Sequence, residues 1–247
     1  MAQNVYDDPA FFAGYASLPR SVHGLDAAPE WPALQAMLPP LAGLRVVDLG
    51  CGFGWFCRWA AEQGAASVLG LDVSERMLER AVRETADPRI TYRRADLDAV
   101  ELGSGEFHVA YSSLTLHYLP DVDRVLAGVR RALTPGGVLV ASVEHPVYTA
   151  PSSPGFVPGP AGAPVWPLDR YLDRGSRVTD WLAPGVVKYH HTVSDYLNAM
   201  VRAGFTLTAL EEWGPTDEQV AEHPDWAGDR DRPLFMMLSG VVTTVAS

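Results

Sequence analysis

Apolar stretches of two lengths alternate between residues 45 and 143 of the chain. Short apolar stretches have the length of β-strands, and longer stretches with apolar residues at helical spacing separate them. Strands are predicted at Arg45–Leu49, Ser67–Leu71, Ile90–Arg93, Phe107–Tyr111 and Val138–Val143, and helices at Trp55–Gln63, Glu75–Thr85 and Val122–Leu133. This alternation predicts an α/β fold, with a parallel sheet, helices on both faces and right-handed crossovers.

Polar and turn-forming residues mark the predicted boundaries. Ser74 and Asp121 are expected to cap the N-termini of helices. Thr134–Gly137 is expected to form a turn that leads into the next strand. Proline and glycine interleave over Pro151–Pro167, where regular structure is not expected. A loop of this length inside a domain is more often a lid or binding loop than a connector. Farther on, the pattern predicts a helix at Val193–Arg202 and strands at Phe205–Glu211 and Leu234–Val242.

The length of 247 residues fits one domain. Within it we expect an N-terminal cover at 1–40, a ligand-binding core at 44–143, an inserted cap or lid at 144–191, and a helix and strands completing the sheet at 192–247. The cover contains Phe11, Phe12, Tyr15, Trp31 and Met37, and is therefore too apolar for a free tail. We expect it to pack over the ligand edge of the sheet.

The formal net charge of −11 disfavours binding to nucleic acid or to anionic lipid. No apolar run approaches the roughly 20 residues of a membrane span, and the N-terminus lacks the pattern of a signal peptide. Two cysteines, Cys51 and Cys57, indicate neither a disulfide framework nor a zinc site, and they favour a reducing cytoplasm. We expect no metal, and either a monomer or a homodimer.

Three glycines at alternate positions, Gly50, Gly52 and Gly54, follow an apolar strand directly and precede a helix. Glycine permits positive φ and lets backbone N–H groups approach a ligand, while the helix start favours negative charge. The spacing is G-x-G-x-G, whereas dinucleotide folds carry G-x-G-x-x-G, and this argues against NAD. The alternative is that these glycines only form a tight turn.

Two acidic residues follow at the ends of the next strands. Asp72 stands at the end of the second strand, where a carboxylate can accept hydrogen bonds from both hydroxyls of a ribose. After the third strand, Asp96 can accept from an exocyclic amine while the backbone N–H of Leu97 donates to a ring nitrogen, which suits adenine. The alternative for Asp72 is a solvated acid at a turn, which its spacing from the glycine turn disfavours. Asp96 taken alone would more often be a loop acid, and its place in the ordered series favours the ligand role.

The ordered segments VVDLGCGFGWF, LGLDVSERML, ADLD, YSSLTLHYL and LTPGGVLV resemble class I S-adenosylmethionine-dependent methyltransferases of the ubiquinone/menaquinone-type small-molecule branch, over about Leu44–Val143. The resemblance implies a Rossmann-like, doubly wound sheet of seven strands with strand seven antiparallel. It also implies S-adenosylmethionine as cofactor and S-adenosylhomocysteine as product. In this family pattern Gly50, Gly52 and Gly54 surround the methionine moiety, Asp72 binds the ribose, and Asp96 and Leu97 frame the adenine.

Further cofactor contacts are expected by the same resemblance. Ser112 follows strand four near the sulfonium, and Tyr15 and Arg20 are candidates for the cofactor carboxylate. The predicted cofactor set also contains Asp48, Cys51, Val73 and Met77, which flank the two ligand-binding turns.

Methyl transfer from a sulfonium needs mainly alignment and exclusion of water, and a base only where the acceptor is protonated. The candidate catalytic residues are His145 first, then His190, Tyr189 and His117, with His191 and Glu144 also considered. For each histidine, a structural role bonded to a backbone carbonyl is an equal alternative.

The expected acceptor is a small molecule, methylated on N, O or C. The nucleic-acid amino methyltransferases of this fold carry an Asn/Asp-Pro-Pro-aromatic motif after strand four, where this chain has Ser112–Thr115. Aromatic residues of the insertion suit an aromatic or heterocyclic acceptor, with core packing as the alternative: Tyr148, Phe156, Trp166, Tyr171 and Trp181. Two rival functions stay open, a nicotinamide-dependent oxidoreductase and a non-catalytic S-adenosylmethionine-binding module.

Overall fold

The computed structural model describes residues 3–243, except for the side chain of Ala161. The ends of the expected cover (1–40) and of the expected C-terminal part (192–247) therefore lie outside the described residues, at 1–2 and 244–247. Seven strands form the main sheet: β1 (Arg45–Leu49), β2 (Ser67–Asp72), β3 (Ile90–Arg94), β4 (Phe107–Ser113), β5 (Leu133–Glu144), β10 (Phe205–Trp213) and β11 (Phe235–Val242).

The sheet has the order β10-β11-β5-β4-β1-β2-β3. Strands β1 to β5 are parallel, and β11, the seventh strand of the sheet along the chain, runs antiparallel between β5 and β10. The expected Rossmann-like fold with an antiparallel strand seven is confirmed. From β1 the chain builds the sheet outward to β2 and β3, and it then returns to the other side of β1 with β4 and β5. In folds of this kind a ligand crevice lies between two such strands, at their carboxyl ends.

Nine helices accompany the strands within residues 3–243: α1 (Pro9–Ala16), α2 (Pro19–His23), α3 (Trp31–Met37), α4 (Trp55–Glu62), α5 (Glu75–Arg83), α6 (Val122–Ala132), α7 (Pro146–Thr149), α8 (Val193–Ala203) and α9 (Asp217–Glu222). The two longest, α6 and α8, have 11 residues each. Within residues 3–243, no helix combines the length and apolar character needed to cross a membrane.

Two apolar cores lie on opposite faces of the sheet, because successive strand residues point to opposite sides. Helices α6 and α8 cover the face that carries Val47 and Leu49, and α3 and α4 cover the face that carries Val46. Caps fix where helices begin: the Ser74 hydroxyl accepts from the N–H of Met77, and the Asp121 carboxylate accepts from the N–H of Arg124. Both predicted caps are confirmed.

The predicted strands and helices agree with the structure to within one or two residues at most ends, with one exception in β5. That strand extends back to Leu133, so the expected turn at Thr134–Gly137 lies inside it. At the position of the predicted turn, β5 forms a bulge against β4, between the residue pairs Phe107–Leu133 and Val109–Val138. Gly136 in this bulge has a φ of 76°.

The expectation that Pro151–Pro167 lacks regular structure is wrong in part. A short antiparallel pair, β6 (Val157–Pro158) and β7 (Pro164–Val165), crosses this loop because a turn at residues 160–162 brings its two arms together. A second hairpin was not predicted: β8 (Gly175–Thr179) pairs antiparallel with β9 (Val186–His190). We call β8 and β9 the cap hairpin.

Candidate functional site

A cavity of about 340 Å³ lies over the carboxyl ends of strands β1 to β5. The N-terminal segment before β1 forms one side of it, through residues such as Tyr15, Arg20 and Trp31, and Trp181 between the strands of the cap hairpin closes another. The position is the one expected for a ligand site in an open α/β sheet. The N-terminal segment covers the ligand edge of the sheet, as its apolar composition predicts.

Most of the predicted cofactor residues lie on the cavity wall. These are Tyr15, Arg20, Asp48, Gly50, Cys51, Gly52, Asp72, Val73, Met77, Asp96 and Leu97. The structure does not place Gly54 or Ser112 there. The Ser112 hydroxyl donates to the carbonyl of Leu49 at 3.0 Å, and its neighbour Ser113 lines the cavity in its place, because alternate residues of a strand face opposite sides.

The glycine turn, Gly50–Gly54, has all three glycines in the left-handed region, with φ of 82°, 51° and 73°. A Cβ on Gly50 would lie 2.1 Å from the hydroxyl of Thr115, and one on Gly54 would lie 2.1 Å from that of Tyr92. A Cβ on Gly52 would meet nothing within 4 Å. Gly50 and Gly54 are therefore required by packing, whereas Gly52 borders open space on the cavity wall.

The Asp72 carboxylate, at the end of β2, is hydrogen-bonded to the glycine turn that follows β1. One carboxylate oxygen accepts from the N–H of Gly52 at 2.9 Å, and the other accepts from the N–H of Ser74 at 2.9 Å. Burial raises the pKa of Asp72 to about 6, against the lowering effect of these hydrogen bonds. A carboxylate can accept more hydrogen bonds than these, so Asp72 keeps acceptor capacity for a ligand in the cavity that it lines.

Asp96 and Leu97 lie next along the same edge. The Asp96 carboxylate accepts from the N–H of Asp98 at 3.0 Å, which fixes the loop after β3. Val73 and Met77 face the cavity between this loop and Asp72. The wall here offers two acidic side chains separated by apolar surface.

Asp48 is almost completely buried beneath the glycine turn, where its carboxylate is 3.3 Å from the Sγ of Cys57, the thiol being the donor. Burial raises the pKa of Asp48 to about 7. Burial also raises the pKa of both cysteine thiols, so they are protonated and unreactive at neutral pH.

The N-terminal segment is fixed to the rest of the site by polar contacts. Arg20 pairs with the buried carboxylate of Glu30 at 3.0 Å. The Tyr6 and Tyr118 hydroxyls are 3.2 Å apart, and Ser74 donates to Asp7 at 2.6 Å. Arg20 and Glu30 both line the cavity, and the ion pair between them fixes the Arg20 side chain there.

Of the four predicted catalytic residues, the structure brings only His117 to the cavity. Its Nδ1 accepts from the N–H of Glu144 at 3.3 Å, and its Nε2 is 4.0 Å from a Glu144 carboxylate oxygen. Burial lowers the pKa of His117 to about 4. The ring is therefore neutral at pH 7, with its proton on Nε2.

His145, His190 and Tyr189 do not line the cavity. His145 uses Nδ1 to cap α7 through the N–H of Val147 and Nε2 to contact Glu212 at 2.7 Å. His190 is bonded to the hydroxyl of Thr149 and to the carbonyl of Tyr171, both at 2.8 Å. These residues were predicted because they lie near β5 and α8 in the sequence. Position in the sequence does not show in which direction a side chain points.

A buried ion pair occupies the β5 end of the cavity. The Glu144 carboxylate, at the last position of β5, contacts the Lys188 ammonium of β9 at 2.5 Å. Lys188 is the only lysine of the chain, and its ammonium lies 4.8 Å from the centre of the Trp181 ring. Sequence reasoning missed Lys188, although a single lysine flanked by strand-forming residues was a signal that could have identified it.

The aromatic residues of the insertion divide into two groups. Tyr148 and Trp181 line the cavity. Trp166 instead donates to the carbonyl of Val147 and stacks on Tyr148 from outside, and Phe156 packs against Trp166. Tyr171 packs against His190. Tyr6 and Tyr118, from outside the insertion, also line the cavity.

Comparison with known proteins gives the family. A methyltransferase domain family matches residues 47–141. The crystal structure of an S-adenosylmethionine-dependent methyltransferase from Mesorhizobium loti is 56% identical with a TM-score of 0.85, covering 88% of this chain and 100% of the other. The N-demethylindolmycin N-methyltransferase of Streptomyces griseus is 29% identical, over 73% of this chain and 77% of its own.

A further relative matches over a shorter stretch. The trans-aconitate 2-methyltransferase of Deinococcus radiodurans is 38% identical over 51% of this chain, a match that spans 48% of that enzyme. The Mesorhizobium loti protein matches along its full length, and its fold is that of the sheet described above. The chain therefore belongs to the S-adenosylmethionine-dependent methyltransferases, and S-adenosylmethionine is its cofactor.

Proposed function

We propose that the protein transfers the methyl group of S-adenosylmethionine to a nitrogen, oxygen or carbon atom of a small molecule, and that both bind in the single cavity over β1 to β5. One observation supports this most strongly. The Gly52 amide and the Asp72 carboxylate meet at 2.9 Å on the cavity wall, at the ends of adjacent strands. This hydrogen bond holds the glycine turn and the Asp72 carboxylate together, at the place where a nucleoside binds in this fold.

The residues of the wall fit the cofactor group by group. The space beside Gly52 accepts the amino-acid part, and the Arg20 guanidinium suits its carboxylate, with Tyr15 beside it. The remaining lone pairs of Asp72 suit the ribose hydroxyls, and Asp96 with Leu97 suits the adenine edge. Asp48, Cys51, Val73 and Met77 shape this part of the wall, while Gly54 supports it by packing against Tyr92.

The size and closure of the cavity support a small acceptor. The N-terminal segment and the cap hairpin close around it, and Gln3 ties these two parts by bonding the carbonyl of Gly185 and the N–H of Val187. A concave, partly apolar cavity of about 340 Å³ suits a metabolite and is too small for a nucleic-acid duplex. The names of the two relatives above, an N-methyltransferase and a trans-aconitate methyltransferase, agree with this class.

S-adenosylmethionine, when bound, supplies a methyl group already activated by its sulfonium, so the protein needs little covalent chemistry of its own. The contribution of this chain is to hold the acceptor in line and to exclude water. Trp181, Tyr6 and Tyr118 exclude water from the acceptor side. His117, neutral and buried, offers a hydrogen-bond donor near Glu144. His145, His190 and Tyr189 support the cap around this space from outside the cavity.

We also propose that residues 1–247 form one methyltransferase domain. The cover, core, cap and C-terminal strands share its two apolar cores or its cavity. Residues of α8 and β11 pack into the same core as those of β1 and α6. This continuity supports a single folding unit.

Calorimetry with S-adenosylhomocysteine tests the cofactor site. Asp72→Ala should weaken binding by about 1 to 3 kcal/mol, because the ribose hydroxyls lose their acceptor. Asp87→Ala is the matched control, since this carboxylate bonds only to its neighbour Arg89 in the described structure and lies outside the cavity. Unchanged affinity in Asp72→Ala would place the ribose elsewhere.

Turnover tests the catalytic part of the proposal. The wild-type protein is incubated with methyl-labelled S-adenosylmethionine and a metabolite extract, and labelled products are sought. We expect at least one labelled small molecule that depends on the protein. Cofactor binding without any transfer across broad extracts would favour a non-catalytic binding module, and binding of NAD in place of S-adenosylhomocysteine would favour an oxidoreductase.

A further inference from the structure

The Glu144 carboxylate has one oxygen in use and one without a partner. Oε1 is bonded to Lys188, whereas Oε2 is buried and accepts no hydrogen bond from any residue within 3–243. The Nε2 of His117 lies 4.0 Å from Oε2, which is beyond hydrogen-bond range. A buried carboxylate oxygen without a donor is costly, so a ligand that donates a hydrogen bond there gains binding free energy.

The place of Glu144 in the sheet separates it from the nucleoside end of the cavity. In the order β5-β4-β1-β2-β3, strand β5 lies three positions from β2, which carries Asp72. With neighbouring strands about 4.8 Å apart, the two carboxylates are roughly 14 Å apart across the cavity floor. Glu144 therefore lies beyond the cofactor groups, on the side where an acceptor would bind.

The charges at this end of the cavity cancel. Lys188 balances Glu144 at 2.5 Å, and His117 is neutral because burial lowers its pKa to about 4. A permanent cation would compete with Lys188 for the carboxylate, and an anion would meet the unpaired Oε2. A neutral hydrogen-bond donor fits the local charge best.

Aromatic rings surround the same point. Trp181 contacts Lys188 on one side, and Tyr118 lies 5.9 Å from the same ammonium. Tyr6 and Tyr148 complete this part of the wall. Flat apolar surfaces of this kind favour a planar ring, through stacked or edge-to-face contacts.

We propose that Glu144, held in place by Lys188, is the acceptor-binding residue, and that the methyl acceptor is a neutral aromatic or heteroaromatic compound whose N–H or O–H group donates to Glu144 Oε2. This inference rests on the proposed function and narrows its acceptor class. Lys188 is a positioning residue, since it fixes the carboxylate without contacting the acceptor.

The test uses the full chain saturated with S-adenosylhomocysteine and four probes of one ring size: phenol, aniline, anisole and benzoate. Ligand-observed NMR titration gives their dissociation constants. Phenol and aniline should bind about tenfold more tightly than anisole and benzoate, which is the usual effect of one hydrogen bond to a charged group. Equal binding of phenol and anisole, or binding of no probe, would overturn the proposal.

Variants assign the preference to Glu144. The double variant Glu144→Leu, Lys188→Met removes both charges together and should abolish the preference for phenol over anisole. Glu212→Gln is the matched control, because this exposed glutamate contacts His145 outside the cavity, and it should retain the full preference. An unchanged preference in the double variant would contradict a role for Glu144.

Two further measurements keep the result interpretable. Glu144→Gln conserves size, so it replaces the double variant if that protein does not fold, and it should also reduce the preference for phenol. Affinity for S-adenosylhomocysteine is measured first in every variant. Its absence in the wild type would contradict the proposed function, whereas normal cofactor binding without a probe preference would contradict only this inference.

Discussion

The two halves of the cavity are built in different ways. The half proposed to bind the nucleoside, called the nucleoside half, comes from residues 48–97, and its contacts join adjacent strand ends, as between Gly52 and Asp72. The half proposed to bind the acceptor, called the acceptor half, joins residues far apart in the chain, such as Glu144 with Lys188, and Gln3 with Gly185. The first half depends on backbone conformation, and the second on side chains from separate segments. The proposed cofactor contacts therefore depend on one continuous part of the chain, whereas the proposed acceptor contacts depend on several separate segments.

The largest effect is expected at the glycine turn. In Gly50→Ala the new Cβ is strained at a φ of 82° and overlaps Thr115. We expect a loss of about 4 kcal/mol in the free energy of unfolding, measured by urea denaturation, with loss of S-adenosylhomocysteine binding.

Gly43→Ala is the control for this change. Gly43 has a similar φ of 77°, but its Cβ would meet nothing within 4 Å. It should cost only about 1 kcal/mol and leave cofactor binding intact. Equal losses in the two variants would show that strain alone, without the contact to Thr115, decides the turn.

On the acceptor half, Lys188→Met leaves the Glu144 carboxylate buried without its cation. We expect a loss of about 3 kcal/mol in the free energy of unfolding. Part of this loss should be recovered when Glu144→Leu is added. Arg202→Met, which breaks the exposed pair with Asp123, should change stability by less than about 0.5 kcal/mol. A Lys188 effect as small as that of Arg202 would mean that water screens the Glu144 pair.

The buried carboxylate of Asp48, in the nucleoside half, should make the stability of the protein depend on pH. Burial raises the pKa of Asp48 from 3.8 to about 7. The folded protein therefore keeps this proton to a higher pH than the unfolded chain, and stability falls as pH rises from about 4 to about 7. Asp48→Asn has no proton to lose, so its stability relative to wild type should rise by about 3 kcal/mol over this range. Paired urea titrations would show a flat difference if Asp48 were not buried as described.

The smallest effect is expected where the two covering segments meet. Gln3→Ala removes two exposed hydrogen bonds to the cap hairpin. The free energy of unfolding should fall by only about 0.5 kcal/mol, whereas hydrogen exchange at the Val187 amide should become faster. Gln63→Ala, at the end of α4, should leave that amide unchanged. Slow exchange at Val187 in Gln3→Ala would mean that other contacts hold the hairpin.

Sequence reasoning was most successful where contacts are local. The strand-helix alternation, the caps Ser74 and Asp121, and the glycine turn each follow from a few consecutive residues, and the structure has all of them. The cap hairpin was missed because β8 and β9 pair only with each other and lie outside the main sheet. Ser112 was chosen over Ser113 because the family pattern gives the position of the strand end without the direction of each side chain.

The sequence by itself determined the parallel sheet, the turn that must contain glycine, and the acids at the strand ends, because hydrophobic period and backbone sterics act between near neighbours. Only the tertiary structure decided that Lys188 meets Glu144, that His117 faces the cavity, and that His145 and His190 do not. Those outcomes depend on how the cover and the cap hairpin pack over the sheet, and packing between segments more than 40 residues apart leaves no periodic trace in the chain.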